Sequence, residues 1–230
     1  MPIIVTAGPT REHQDPVRFL SNPSTGKMGF AIAAEAARRG HEVVLIAGPV
    51  ALKTPKGVRR IDVVSAREML AAVKSQVACA VRRGAVGAAG HRSVRSGVVL
   101  VSTAAVADWR PAKCSKFKLK KGEMGGVLKL VRNPDILKTV RATIRRAGHS
   151  AIRLVGFAAE TDHVVAEAVR KCREKGLSFI VANDVTAAGC GFGTDTNRVA
   201  FVFPDGTQKN FPLMTKRRVA RRILDEVSCL

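Results

Sequence analysis

Ile3-Ile4-Val5-Thr6-Ala7-Gly8-Pro9 and, further on, the run from Gly26-Lys27-Met28-Gly29 to Arg39 decide the fold. Three aliphatic residues leading into Gly-Pro read as a buried strand entering a turn. Gly26 to Arg39 has helical periodicity and stops at Gly40. Glu42 to Ala47 is then a second apolar strand. A strand, a glycine-bearing turn, a helix and a second strand are the repeating unit of a parallel sheet.

The pattern continues outward from this unit. Arg60 to Val64 reads as a third strand, and Ala66 opens a helix with Met69, Leu70, Val73 and Val77 on one face. Val98 to Ser102 is a strand running into Thr103 to Asp108, and Leu128 to Val131 is extended. Pro134 to Arg146 is a helix with Pro134 in its first turn. Arg153 to Phe157 is a strand, Asp162 to Lys175 a helix, and Ser178 to Ala182 a strand. Val199 to Phe203 and Thr207 to Phe211 flank Asp205-Gly206 as a hairpin. Thr215 to Val227 closes the chain as a helix. The expected fold is α/β: a doubly wound, Rossmann-like, mostly parallel sheet with helices on both faces and a C-terminal antiparallel hairpin. Ligands are expected beyond the carboxyl ends of its strands. Residues 1–230 are read as one domain. A basic insertion occupies about residues 82–97, and a Lys- and Gly-rich flap about residues 111–126.

With 39 Lys and Arg against 18 Asp and Glu, the net charge is +21, so anionic ligands are expected. The charge gathers at Arg82 to Arg95, Lys113 to Lys121 and Lys216 to Arg222. No apolar run approaches the ~18 residues of a membrane span, and Met1-Pro2-Ile3-Ile4-Val5 lacks a signal-peptide pattern. Five cysteines in no C-x-x-C spacing read as reduced thiols, which predicts a cytoplasmic protein. Ser228-Cys229-Leu230 differs in one residue from a peroxisomal Ser-Lys-Leu address, but a plain helix end is the favoured reading.

Ser21 to Gly29 precedes the first helix, and its glycines let backbone approach a ligand at the positive helix end, so a phosphate is expected there. The competing reading is a structural turn with a Ser cap. It is not a P-loop, because Ser21 and Met28 occupy positions that need Gly and Ser or Thr. Nor is it a dinucleotide fingerprint, because Ser24 stands at the first glycine and Ile46-Ala47-Gly48-Pro49 supplies no acidic residue. A short-chain reductase is disfavoured, because its catalytic residue is a tyrosine and the sequence contains none. Asp108, at a strand end, is a functional candidate whose alternative is a cap or a bridge to Arg110. Glu160 and His163 form a single Glu-x-x-His, too little for a di-metal site. No metal site and no nucleophilic triad emerge from the spacing. Nine Phe, one Trp and no recognised motif argue against a nucleic-acid-binding module.

Eight motifs in order resemble phosphopantothenoylcysteine synthetases, especially the bacterial type. They are Thr6 to Glu12, Asp15 to Asn22, Gly26 to Gly29, Ala104 to Pro111, Lys118 to Lys121, Asn133 to Leu137, Val155 to Thr161 and Ala182 to Val185. The resemblance implies a ligase that activates the 4′-phosphopantothenate carboxylate as an acyl-nucleotidylate and then joins it to L-cysteine. It implies Mg²⁺ with a nucleoside triphosphate, CTP favoured and ATP possible, and no flavin, since the decarboxylase domain often fused upstream is absent. It implies a homodimer with sites built from both subunits, and neither nucleic acid nor membrane as partner. Asn22 and Lys118 take the catalytic positions. Gly8, Ser24, Gly26, Gly29, Ser102, Thr103, Ala104 and Asp108 take nucleotide positions. So do Lys118, Pro134, Asp135, Ile136, Leu137, Phe157, Lys171, Lys175 and Asn183. Asn22, Ala104, Ala105 and Asp108 take substrate positions. Thr25 and Trp109 depart mildly from the family pattern, and the insertion is foreign to it. A non-catalytic nucleotide-binding relative is the alternative.

Overall fold

The structure, a computed structural model, describes residues 1–230 apart from 86–96, 121, 123–125, 147–151, 161–163 and 185–188. Its elements in order are β1 (Pro2–Ala7), β2 (Arg11–His13), β3 (Phe19–Ser21), α1 (Lys27–Arg38), β4 (Glu42–Ala47), β5 (Val58–Asp62) and α2 (Ala66–Ala85). There follow β6 (Val98–Ser102), β7 (Trp109–Pro111), β8 (Leu130–Arg132), α3 (Ile136–Arg146), β9 (Ile152–Glu160), α4 (Val164–Lys175) and β10 (Phe179–Asp184). The chain ends with β11 (Thr196–Asn197), β12 (Val199–Val202), β13 (Gln208–Asn210), β14 (Met214–Thr215) and α5 (Lys216–Cys229).

Eight strands form one sheet in the order β13-β12-β10-β9-β6-β1-β4-β5. The six from β5 to β10 are parallel, while β12 and β13 are antiparallel. Numbered along the chain, the parallel strands lie in the order 3-2-1-4-5-6, so the winding reverses between β1 and β6. Residues along β1 alternate between two cores. Ile3, Val5 and Ala7 pack with Phe30 of α1 and with Val219 and Ile223 of α5. Ile4 packs on the other face with Met69 and Val73 of α2, Val140 of α3 and Cys172 of α4. Burial on both faces is why these strands read as apolar runs rather than alternating ones.

Several expectations shift. The third strand starts two residues earlier, at Val58. Pro134 lies outside α3, because Asp135 Oδ1 accepts the N–H of Lys138 at 2.9 Å and so caps a helix that starts at Ile136. The basic insertion does not begin at Arg82, since α2 continues through Ala85. Residues 86–96 lie outside the described residues. Pro111, expected at the start of the flap, is the last residue of β7, which pairs antiparallel with β8. Thr161 and His163 lie outside the described residues, as do Lys121 and Val185. Among the described residues no helix is long and apolar enough to cross a membrane. Ser228 and Cys229 belong to the last turn of α5, where Ser228 Oγ donates to Leu224 O, the helix end favoured from sequence.

Candidate active site

A cavity of about 400 Å³ opens beyond the carboxyl ends of β1 and β6, at the point where the winding reverses. A second, of about 190 Å³, adjoins it over β6 and the start of α3. Asn22, Ser24, Gly26, Gly29, Thr103, Ala104, Ala105, Asp108, Leu137, Phe157, Lys171, Lys175 and Asn183 line the first. Ser102, Pro134, Asp135 and Ile136 line the second, which shares Ala104, Asp108, Leu137, Phe157 and Lys175 with the first. Residues from distant stretches of sequence thus meet at one place.

The turn into α1 presents backbone. Gly26 has φ +78°, a left-handed conformation that glycine adopts without strain, and no side chain caps the helix start. Ser24 Oγ instead takes a long 3.4 Å contact from Gly26 N–H, so the Ser-cap reading of this turn fails. Gly29 lets α1 lie against the strand ends. A Cβ there would sit 2.5 Å from Ala7 Cβ and 2.5 Å from Thr103 Oγ1. The N–H groups at the helix start, left without a side-chain cap, suit an anion.

The β6 exit loop is held by hydrogen bonds to the β1 exit. Thr103 Oγ1 donates to Thr6 O at 2.6 Å, and Ala105 N–H donates to Gly8 O at 2.9 Å. Gly8, absent from the cavity lining, therefore supports the site from behind. Asn22 Nδ2 donates to Ala105 O at 3.0 Å, which joins the predicted catalytic residue to the substrate loop. Asn133 Nδ2 donates to Ala107 O at 2.8 Å and fixes the far end of that loop. Asp108 forms no bridge to Arg110, which donates instead to Arg132 O and to Asn133 Oδ1. Asp108 stays exposed at the mouth shared by both cavities.

Among the described residues, the lysines that line the main cavity are Lys27, Lys171, Lys175 and Lys216. Lys175 Nζ lies 3.0 Å from Asp135 Oδ2. Lys27 Nζ donates to Asp195 Oδ1 at 2.7 Å, and this bond holds the Asp195 carboxyl below its ordinary range. Lys216 is buried, and its pKa is pushed down by burial and by the neighbouring Lys27 charge. Sequence reading does not find Gly191, Phe192, Asn197 and Lys216 as lining residues. No local motif marks them, because the loop from residue 189 to 197 reaches the cavity through tertiary hydrogen bonds.

Lys118 is the one predicted catalytic residue that lines neither cavity. Its neighbour Leu119 is tied to the turn between β2 and β3. Leu119 N–H donates to Asp15 Oδ2 at 3.2 Å, and Arg18 Nη2 donates to Leu119 O at 2.7 Å. Burial pushes the Asp15 carboxyl up, but the N–H groups of Val17 and Arg18, the Arg18 guanidinium and the Leu119 N–H outweigh it and hold the group well below the usual carboxylate range.

This arrangement recurs in known proteins. The whole chain, residues 1–230, matches the family described as DNA/pantothenate metabolism flavoprotein C-terminal domain. The chain belongs to this family. A Bacillus subtilis relative, the coenzyme A biosynthesis bifunctional protein CoaBC, is 42% identical over 229 residues. That alignment takes in 99% of this chain and 51% of the relative. The chain therefore spans about half the length of the curated relatives it matches. A crystal structure of the C-terminal domain of CoaBC superposes with a TM-score of 0.75 at 39% identity, covering 98% of this chain and 93% of that one. A Cab2 mutant in complex with phosphopantothenate-cysteine has the same fold, with a TM-score of 0.71 at 14% identity over 98% of this chain and 85% of its own.

Proposed function

We propose that the chain is a phosphopantothenate–cysteine ligase of coenzyme A biosynthesis, with residues 1–230 acting as one synthetase domain. The observation that carries this reading is the meeting of Asn22, Ala104, Ala105, Asp108 and the uncapped α1 start in one lysine-lined cavity. The naming of the relatives for coenzyme A biosynthesis, and the phosphopantothenate-cysteine bound by Cab2, supply the substrate class.

In this reading the α1 start, with Ser24, Gly26 and Gly29, receives the triphosphate. Pro134 to Leu137, Phe157, Lys171, Lys175 and Asn183 bind the rest of the nucleotide, with Ser102, Thr103 and Ala104 beneath it. Ala105, Asn22 and Asp108 orient phosphopantothenate. Its carboxylate oxygen bonds to the α-phosphorus, the bond to the β-phosphate oxygen breaks, and pyrophosphate leaves. The cysteine amine then bonds to the acyl carbon, the acyl–phosphate bond breaks, the nucleoside monophosphate leaves, and the amine proton goes to solvent. Charge neutralisation and positioning are the main demands of such chemistry, and no protein nucleophile is needed. Among the described residues no group of three or more His, Cys, Asp or Glu converges as a metal cage. Mg²⁺ would enter on the nucleotide phosphates and would neutralise charge there, and Asp108 is an exposed carboxylate at the cavity mouth.

The homodimer is part of the proposal. Val17, Phe19 and Leu20 on the β2–β3 hairpin and Trp109 and Leu130 on the adjacent β7–β8 hairpin are all exposed. One apolar face next to Lys118 suits a second copy of the chain, and Lys118 then serves the partner's cavity. The reading places the enzyme in the cytoplasm, with CTP as the preferred nucleotide over ATP.

Phosphopantothenate and Mg·CTP, mixed with the protein in the absence of cysteine, should release one burst of pyrophosphate. No pyrophosphate, with nucleotide still bound, identifies a non-catalytic relative. A larger kcat/KM for ATP than for CTP overturns the nucleotide preference alone.

A further inference from the structure

Lys216 is a buried ammonium, and no part of the proposed reaction uses it. Removing a charge from water is costly unless its donors are satisfied. Lys216 Nζ meets three backbone carbonyls of one loop: Thr194 O at 2.6 Å, Gly191 O at 3.0 Å and Phe192 O at 3.5 Å. The same loop is also gripped from the start of α1 and the residue two before it. Thr25 Oγ1 donates to Phe192 O at 2.6 Å, and Lys27 Nζ donates to Gly193 O at 2.8 Å and to Asp195 Oδ1 at 2.7 Å. Four successive carbonyls, from Gly191 to Thr194, are therefore all acceptors for three side chains. Gly191 and Phe192 in turn form part of the cavity wall, together with Asn197.

We infer that Lys216 and Lys27 are positioning residues that pin the loop from residue 189 to 197 as a wall of the nucleotide cavity. The inference rests on the nucleotide reading proposed for this cavity. Two of the three pins, Thr25 and Lys27, belong to the α1 start assigned to the triphosphate. An anion bound there fixes that segment, the segment fixes the carbonyls, and the carbonyls fix Phe192 over the ligand. Lys216 holds the loop from α5 so that it is already placed before the ligand arrives, which lowers the ordering cost of binding.

An obvious rival is that the two lysines act on the ligand only through their charge. Asp195 separates the two accounts by sign. It is exposed and anchors Lys27, so Asp195→Ala leaves the fold intact and removes a negative charge near the cavity. If charge alone matters, the variant binds Mg·CTP more tightly than the wild type. If the pinned loop matters, it binds at least threefold more weakly, and we expect this result by isothermal titration calorimetry. Lys216→Met should weaken Mg·CTP binding tenfold or more and raise the nucleotide KM by a similar factor, with saturated kcat within about threefold of wild type. Backbone amide exchange over residues 191–194 should slow on adding Mg·CTP to the wild type and stay fast in Lys216→Met. If Lys216→Met does not fold, Thr25→Val and Lys27→Met remove the other pins and should show the same exchange signature. Wild-type Kd and wild-type exchange in these variants, or tighter binding by Asp195→Ala, overturn the inference while leaving the ligase reading intact. Failure of the wild type to bind Mg·CTP or Mg·ATP overturns the nucleotide reading, and this inference with it.

Discussion

A methyl group at position 29 would stand 2.5 Å from both Ala7 Cβ and Thr103 Oγ1, far inside van der Waals contact. Neither neighbour can yield freely. Ala7 is a fully buried strand residue, and Thr103 Oγ1 is committed to Thr6 O at 2.6 Å. Gly29→Ala therefore forces α1 away from β1 and β6 and is expected to cost about 2–3 kcal/mol, the scale of overpacking in a close-packed core. The same shift moves the α1 start, so the nucleotide KM should rise as well. Urea unfolding and steady-state kinetics check the two effects, and a variant as stable and as active as the wild type would show that the helix has room to move. Gly26 and Gly29 are legible in the sequence, because glycines at a helix start that follows an apolar strand mark close backbone approach. Lys216 is not. In sequence it is one basic residue among several at the start of an amphipathic helix, and only the fold shows that it points inward to carbonyls.

At the scale of elements, strands buried on both faces announce themselves, whereas two- and three-residue strands do not. The parallel strands and all five helices are readable from apolar runs and periodicity. The β2–β3 and β11–β14 pairs are not, and of the β7–β8 pair only β8 is foreshadowed, by the extended Leu128 to Val131, since so short a segment has no period to detect. These small pairs carry Asn22, Asp108 and Lys216 on the segments beside them, so the elements hidden from sequence frame the site. The contact between α1 and α5 is equally hidden. It centres on Glu35, a buried carboxylate 2.6 Å from Arg38 Nη2 and 3.0 Å from Arg39 Nε, while Arg39 Nη2 reaches Asp225 Oδ1 at 2.8 Å. The Arg38 hydrogen bond chiefly, together with Arg39 and against the effect of burial, brings the Glu35 pKa down from 4.5 to about 2. A depressed folded-state pKa means stability that is present in full above the unfolded value and lost as pH falls through the folded one. The Glu35 contribution should thus fade between about pH 4.5 and pH 2. Glu35→Gln should unfold at lower urea concentration than wild type at pH 7, by roughly 2–3 kcal/mol, and the difference should narrow below about pH 4. A gap that is unchanged down to pH 2 would assign the acid sensitivity to another group.

At the scale of the whole molecule, Lys118 presents a conflict. Its motif assigns it to the reaction, yet in one copy of the chain it lies on neither cavity. It sits on a segment that Asp15 and Arg18 fasten to the β2–β3 turn, and the hairpin that carries this turn exposes Phe19 and Leu20. The proposed two-fold dimer through this face would resolve the conflict, because a residue remote from its own cavity can stand over its partner's. The expected outcome is specific. Lys118→Gln alone and Asn22→Asp alone should each lower kcat by about a hundredfold, roughly 2.7 kcal/mol of transition-state stabilisation. When the two variants are unfolded together and refolded as a mixture, half of the dimers pair one of each. In such a dimer one site receives intact Asn22 from one subunit and intact Lys118 from the other, while the second site carries both defects. The mixture should therefore recover about a quarter of wild-type activity, as statistical pairing in a two-fold dimer requires. If Lys118 serves its own cavity, every site in the mixture keeps one defect and no activity returns. A fully active protein sedimenting as a 24.6 kDa species at micromolar concentration removes the dimer itself. In that case Lys118 could reach the nucleotide only by release of Leu119 from Asp15, and Asp15→Asn should then raise kcat rather than lower it.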